Sequence, residues 1–153
     1  MKTYKLNPVY LVIALLLTST SLFAQQDQEE IFDEISENVQ AINTRYERIN
    51  TSKNVNYKQY AGGLDSLYNN IQQQYALLQK KQNPKEKELV KANKQALDKI
   101  YENASKHLDG IKAEANKPKP NEMKIKQLSK LFVSQLQEAQ VQNTDARKKL
   151  GKK

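Results

Sequence analysis

The side chains that could do chemistry in this chain are few. There is one histidine, His107, and neither cysteine nor tryptophan. The lack of cysteine excludes a thiolate nucleophile, a disulfide framework, a thiolate metal site, a c-type haem attachment and a cysteine-borne lipid anchor. Two-histidine metal motifs, a Glu-x-x-His pair, a glycine-rich phosphate loop and a Gly-x-Ser-x-Gly elbow are also missing. The chain is therefore expected to be no enzyme, and to use no cofactor or metal.

Haem held between histidine and methionine is the one cofactor chemistry that calls for a geometric test. In a helical hairpin turning near Pro118 and Pro120, His107 lies level with a position near Lys130. Met123 lies about seven residues, or ~10 Å, nearer the turn, so the two do not share one iron. His107 also flanks an apolar stripe beside Leu108 and reads as a boundary side chain. The acids from Asp27 to Glu37 lack a glycine-punctuated loop with alternating oxygen ligands and read as a solvated helix start rather than a calcium site.

Tyrosine offers a different chemistry, an apolar ring with a polar tip suited to a half-exposed contact surface. Tyr57, Tyr60, Tyr68 and Tyr75 crowd one stretch, next to Lys53 and Lys58. Lys53, Tyr57, Lys58, Tyr60 and Tyr68 form a candidate binding face in which rings stack while lysines meet anions. The competing role is core packing, and it is favoured for Tyr57, Tyr60 and Tyr75 because they fall in register with leucines. A second candidate surface is the basic C-terminus: Arg147, Lys148, Lys149, Lys152 and Lys153.

The elements that must position these groups are helices. Beyond the first residues the breakers are scarce: Gly62, Gly63, Gly110, Gly151, Pro84, Pro118 and Pro120. Phe32, Ile35, Val39, Ile42, Tyr46 and Ile49 recur at alternating steps of three and four, which lays one stripe along a helix of about 24 residues, or roughly 36 Å. A polar loop, Asn50 to Asn56, follows. Tyr57, Tyr60, Leu64, Leu67, Ile71, Tyr75 and Leu78 carry the rhythm through a second helix, with Asn56 and Gln59 in capping-box register. Gly62 and Gly63 predict a kink in it, a later start near Leu64 being the alternative; the unbroken stripe favours one helix.

Asn83, Pro84 and Glu86 open a third helix whose face is Leu89, Ala92, Ala96, Ile100, Ala104, Leu108, Ile111 and Ala115. Its alanines permit close approach but bury little area. After the stiff Lys117-Pro118-Lys119-Pro120 break, Asn121 caps a fourth helix with Ile125, Leu128, Phe132, Leu136 and Ala139 inward. The apolar signal fades after Val141, and the last ten or so residues are expected to fray. The expected fold is all-α, an antiparallel up-down bundle of four helices; elongated hairpins with coiled-coil character that oligomerise through the same narrow stripes are the alternative.

At the N-terminus Lys2 and Lys5 precede an apolar run from Val9 to Leu17, a polar stretch Thr18 to Ser21 and the small residue Ala24. That order reads as a signal peptide over residues 1–24 cleaved near Ala24, and the apolar block is short for a membrane span of ~20 residues. Residues 25–146 are then the bundle and 147–153 a basic tail. Removing 24 of the 153 residues leaves 129, enough for one domain. Localisation in a periplasm or outside the cell is expected.

Charge divides the chain. From Gln25 to Asn50 seven acids stand against Arg45 and Arg48, whereas from Thr51 onward 21 basic residues stand against 10 acidic ones. Helix dipoles explain much of this, since acids favour first turns and lysines last turns. The functional reading is a basic surface offered to an anionic partner.

Small, exported, basic and amphipathic, the chain is similar in outline to the periplasmic helical chaperones. It has neither the β-strand segments of one such family nor the Leu-Thr-x-x-Gln repeat of another, so the likeness is one of composition and implies no family. The expected function is an envelope or extracellular interaction protein, chaperone-like in one version, that binds another protein or an anionic envelope component through a basic amphipathic surface. Nucleic acid is not expected; peripheral membrane contact and homo-oligomerisation remain open. The alternative is a four-helix-bundle carrier of a ligand or cofactor, against which the alanine-rich third helix argues by leaving little interior room.

Overall fold

A computed structural model describes residues 8–80 and 87–150, with side chains described from Gln28 onward except at 87–92, 146, 147, 149 and 150. It is built of α1 (Pro8–Thr51), α2 (Tyr57–Lys80), α3 (Lys87–Ala115) and α4 (Glu122–Leu150). No strand occurs among the described residues. α1 packs on α2 and α4, and α3 packs on the same two neighbours, so the helices close a square, and large side chains such as Tyr68 and Phe132 meet inside it across the α2–α4 diagonal. Short connections make successive helices antiparallel, which is the up-and-down four-helix bundle.

α1 is longer than the stripe predicted. It spans 44 residues and runs back to Pro8, because between Val9 and Thr51 there is neither glycine nor proline to stop it. Pro8 itself suits a first helical position. The expected cleavage point near Ala24 lies inside this helix. Among the described residues no helix is long and apolar enough to cross a membrane.

The caps at Asn56 and Asn121 form as their spacing requires. Asn56 Oδ1 accepts from the Gln59 N–H at 3.1 Å, and Asn121 Oδ1 accepts from the Lys124 N–H at 3.1 Å. Each satisfies one of the orphan donors of a helix start. The cap expected at Asn83 and Pro84 falls outside the described residues. α4 continues to Leu150 rather than fading near Val141, because Asn143 is still buried at 5 % exposure and the helix keeps a packed face to that point. Arg147, Lys148 and Lys149 lie within this helix, in its last turn. Lys152 and Lys153 lie outside the described residues.

The core follows the stripes but is wider than they are. Ile35, Val39, Ile42 and Ile49 are buried as expected, while Ile31 is buried and its neighbour Phe32 only partly so. Tyr68, Leu97, Tyr101, Ser129 and Val133 are buried although the alternating steps passed over them. A helix with two packed neighbours presents an apolar arc of more than about 100°, so positions beside the stripe are covered as well. Leu97 and Tyr101 add bulk to the alanine-rich face of α3.

Among the described residues α2 and α3 share the sparsest of the four seams, and tyrosine hydroxyls bond across it. The Tyr68 hydroxyl donates to the Tyr101 carbonyl at 2.6 Å and the Tyr75 hydroxyl to Asp98 Oδ1 at 3.1 Å. Tyr75 and Tyr101 pack ring to ring with centroids 4.8 Å apart.

α2 passes unbroken through its two glycines, both with ordinary helical φ. They differ in what surrounds them. A Cβ on Gly62 would meet nothing within 4 Å, whereas one on Gly63 would stand 2.7 Å from the Arg45 guanidinium. Gly62→Ala should raise the free energy of unfolding by up to about 1 kcal/mol, because alanine loses less backbone entropy in a helix interior. Urea denaturation followed by helical circular dichroism checks this, and a destabilised variant would mean that the helix bends at Gly62.

Candidate functional site

Antiparallel folding brings the α1–α2 turn and the α3–α4 turn to the same end of the bundle. The contacts fix this arrangement: Lys112 on α3 pairs with Asp65 on α2 at 2.8 Å, Tyr57 stands beside Glu122 and Lys126, and Arg45 lies against Gly63. Residues 45–65 and 109–130 form this turn end. They hold ten basic residues, namely Arg45, Arg48, Lys53, Lys58, Lys112, Lys117, Lys119, Lys124, Lys126 and Lys130, against five acids.

Three of the acids are spent on structure. Glu114, buried at 4 % side-chain exposure, accepts from Lys117 Nζ at 2.7 Å and from the Asn121 N–H at 3.2 Å, with Lys124 Nζ at 3.3 Å. The Lys117 ammonium holds its carboxyl below the ordinary range, against the desolvation that would raise it. That buried carboxylate ties the Lys-Pro-Lys-Pro turn to the end of α3. Asp65 bonds to Lys112 and raises the ammonium's pKa; Glu122 bonds to Lys126 at 2.6 Å and is lowered by it.

What remains is an excess of cations. Among the described residues Arg45, Arg48, Lys53, Lys58, Lys119 and Lys130 make no ion pair. Where α1 turns into α2, a cleft of about 230 Å³ is lined by Arg45, Arg48, Ile49, Ser52, Asn54, Val55, Asn56, Gln59 and Tyr60. Its lining offers guanidinium, amide and hydroxyl groups beside Ile49, Val55 and Tyr60, a chemistry suited to an oxyanion.

The structure divides the sequence-derived candidates. Lys53 and Lys58 are exposed and Tyr57 half-buried at the turn end. Tyr60 and Tyr68 are inside the bundle at 6 % and 5 % exposure and cannot offer their rings to a partner. They are interior because each points between helices: Tyr60 toward Ser129, and Tyr68 toward Tyr101 and Phe132. Burial pushes the Tyr60 phenol up to about 12 and the Tyr57 phenol upward to a smaller degree. Lys148 stands 26 positions along α4 from Glu122, or roughly 39 Å at about 1.5 Å per residue. The basic C-terminus and the lysines beside Tyr57 therefore cannot share one face.

The register set by the Gln140 to Ser36 hydrogen bond places residues 146–148 level with Glu29 and Glu30 on α1. The basic end of α4 thus lies beside the acidic start of the bundle. Arg45 and Arg48, which along the sequence count only toward the charge balance of the first helix, join this site only in the fold. Their signal was visible as two arginines three apart at a helix end with no acid four positions away on the same face.

His107 is half-buried, and Met123 is 73 % exposed. Among the described residues no group of three or more histidine or acidic side chains is placed to hold a metal ion. Comparison with family models, with curated proteins and with solved structures gives no match to this chain. A functional reading therefore rests on the chemistry of the turn end.

Proposed function

We propose that this chain is an exported helical binding module of the cell envelope or extracellular space that holds an anionic envelope component by the turn end of its bundle. The observation that carries this reading is the set of six unpaired cations gathered by two turns far apart in sequence. Lys53, Lys58, Lys119 and Lys130 spread positive charge over this end, and half-buried Tyr57 supplies an amphipathic contact among them. Export rests on the order of charges and apolar residues before Gln25. A holdase that shields an acidic unfolded client is the chaperone-like version of the same surface.

The test uses the chain beginning at Gln25 and vesicles containing anionic lipid, with zwitterionic vesicles as control. Binding that weakens with salt is expected. Lys53→Ala combined with Lys58→Ala should weaken it about 30-fold, taking about 1 kcal/mol per basic residue at an anionic surface. Ending the chain at Ala146 should weaken it less, because the last turn of α4 lies at the other end of the bundle from Lys53 and Lys58. The reading is lost if anionic vesicles do not retain the protein, no envelope partner is captured by crosslinking, and aggregation of an acidic client is not slowed.

A further inference from the structure

We infer that the cleft between Arg45, Arg48 and the start of α2 is a specific site for a phosphomonoester group. The inference rests on the reading of the turn end as an anion-binding surface and goes further, since it names a ligand class and the residues that select it.

Neither guanidinium is needed where it stands for the fold. The last carbonyls of α1 already have donors: the Arg48 carbonyl accepts from the Ser52 N–H at 3.0 Å and from the Thr51 hydroxyl at 3.2 Å. No acid among the described residues pairs with Arg45 or Arg48. Nor does Arg45 lie where it does by default. Its guanidinium occupies the space that a side chain at residue 63 would need, 2.7 Å from an added Cβ, while the adjacent Gly62 leaves its own space open. Gly63 thus leaves room for the Arg45 guanidinium against the second turn of α2.

The remaining donors line the cleft from the start of α2. Asn56 uses Oδ1 to cap Gln59, which leaves its amide nitrogen to donate, and the N-terminus of α2 adds the positive end of a helix dipole. Two guanidiniums match the charge of a phosphomonoester, which carries about −1.5 to −2 near neutrality, better than that of a monoanionic carboxylate or phosphodiester. The cleft, about 230 Å³, is below the roughly 300 Å³ at which sites for drug-sized ligands begin. It takes a headgroup rather than a whole organic molecule. The group could be free phosphate or the phosphomonoester headgroup of a lipid.

Titration with inorganic phosphate, followed by the arginine Nε resonances, comes first. Phosphate should shift Arg45 and Arg48. Affinity should fall more than tenfold in R45Q/R48Q, persist in K53A/K58A, and weaken in G63A without loss of thermal stability. Vesicles with phosphatidic acid, a monoester, are then compared with phosphatidylglycerol, a diester, at matched surface charge. Preference for the monoester assigns a lipid source; phosphate binding with no such preference assigns free phosphate. Both outcomes uphold the site. No shift with phosphate together with equal retention on both vesicles overturns it. Salt-sensitive vesicle binding that still depends on Lys53 and Lys58 would in that case leave the broader reading standing.

Discussion

Phe132→Ala is expected to lower the free energy of unfolding by about 3–5 kcal/mol, the loss usual for a buried phenylalanine that leaves a cavity behind. Phe132 is the largest of the fully buried side chains, with no exposed surface. It meets the Tyr68 ring edge-on, centroids 5.4 Å apart and planes at 72°, so one truncation removes contacts reaching from α4 to α2 across the bundle. A domain of this size is stable by only about 5–15 kcal/mol, so the variant should be near the limit of folding. Leu131, its neighbour on the outer side of α4, is 49 % exposed, and Leu131→Ala should cost less than about 1 kcal/mol. Urea denaturation of the two variants decides the matter. Equal losses would mean that α4 is rotated from this register, as packing into an oligomer of hairpins would require.

Alkali should unfold the protein cooperatively between about pH 10 and pH 12. Burial raises the phenols of Tyr60 and Tyr101 to about 12, and those of Tyr68 and Tyr75 are raised as well, by burial first and then by Tyr101 and Asp98 respectively. A group that holds its proton more tightly folded than unfolded contributes stability that is fully present below its unfolded pKa, here about 10. That contribution is lost as pH rises through the folded value. A shift of two units corresponds to about 2.7 kcal/mol for each of Tyr60 and Tyr101, so their ionisation together approaches the whole stability of a small domain.

Tyrosinate absorbance and loss of helical dichroism should therefore appear in one transition. Phenols titrating near pH 10 with the helices intact would show that the rings are not buried. The hydroxyls of Tyr60 and Tyr101 have Ser129 and Asn143 as near neighbours but no partner in hydrogen-bond geometry. Replacing both tyrosines by phenylalanine should thus cost little and move the alkaline midpoint upward.

Much of the bundle was legible in the sequence because helices are specified locally. The recurrence of apolar residues at three and four positions marked the inward faces, and scarce breakers implied long elements. Asn56 and Asn121 marked two helix starts to the residue, because a cap is a contact between a side chain and a backbone group three positions on. Less legible were the edges of the buried faces. Tyr68 and Tyr101 carry a polar tip and sit beside the stripe, and a strand of text cannot tell a half-exposed tyrosine from one whose hydroxyl reaches a neighbouring helix.

The sequence by itself determined the helical class, the four amphipathic elements, the surplus of lysine and arginine, and the exclusion of cysteine chemistry and of paired-histidine metal motifs. Only the tertiary structure decided which charges work together. Read along the chain, positive charge mounts toward the C-terminus and Arg147 to Lys149 look like its focus. Once folded, chain reversal joins Arg45, Arg48, Lys53 and Lys58 to Lys119 and Lys130, residues more than 60 positions away, and sets the last turn of α4 level with the acidic start of the bundle. The physical reason is one of range. Helix formation depends on groups a few residues apart, whereas a surface potential sums over whatever the topology brings within about one Debye length, roughly 8–10 Å.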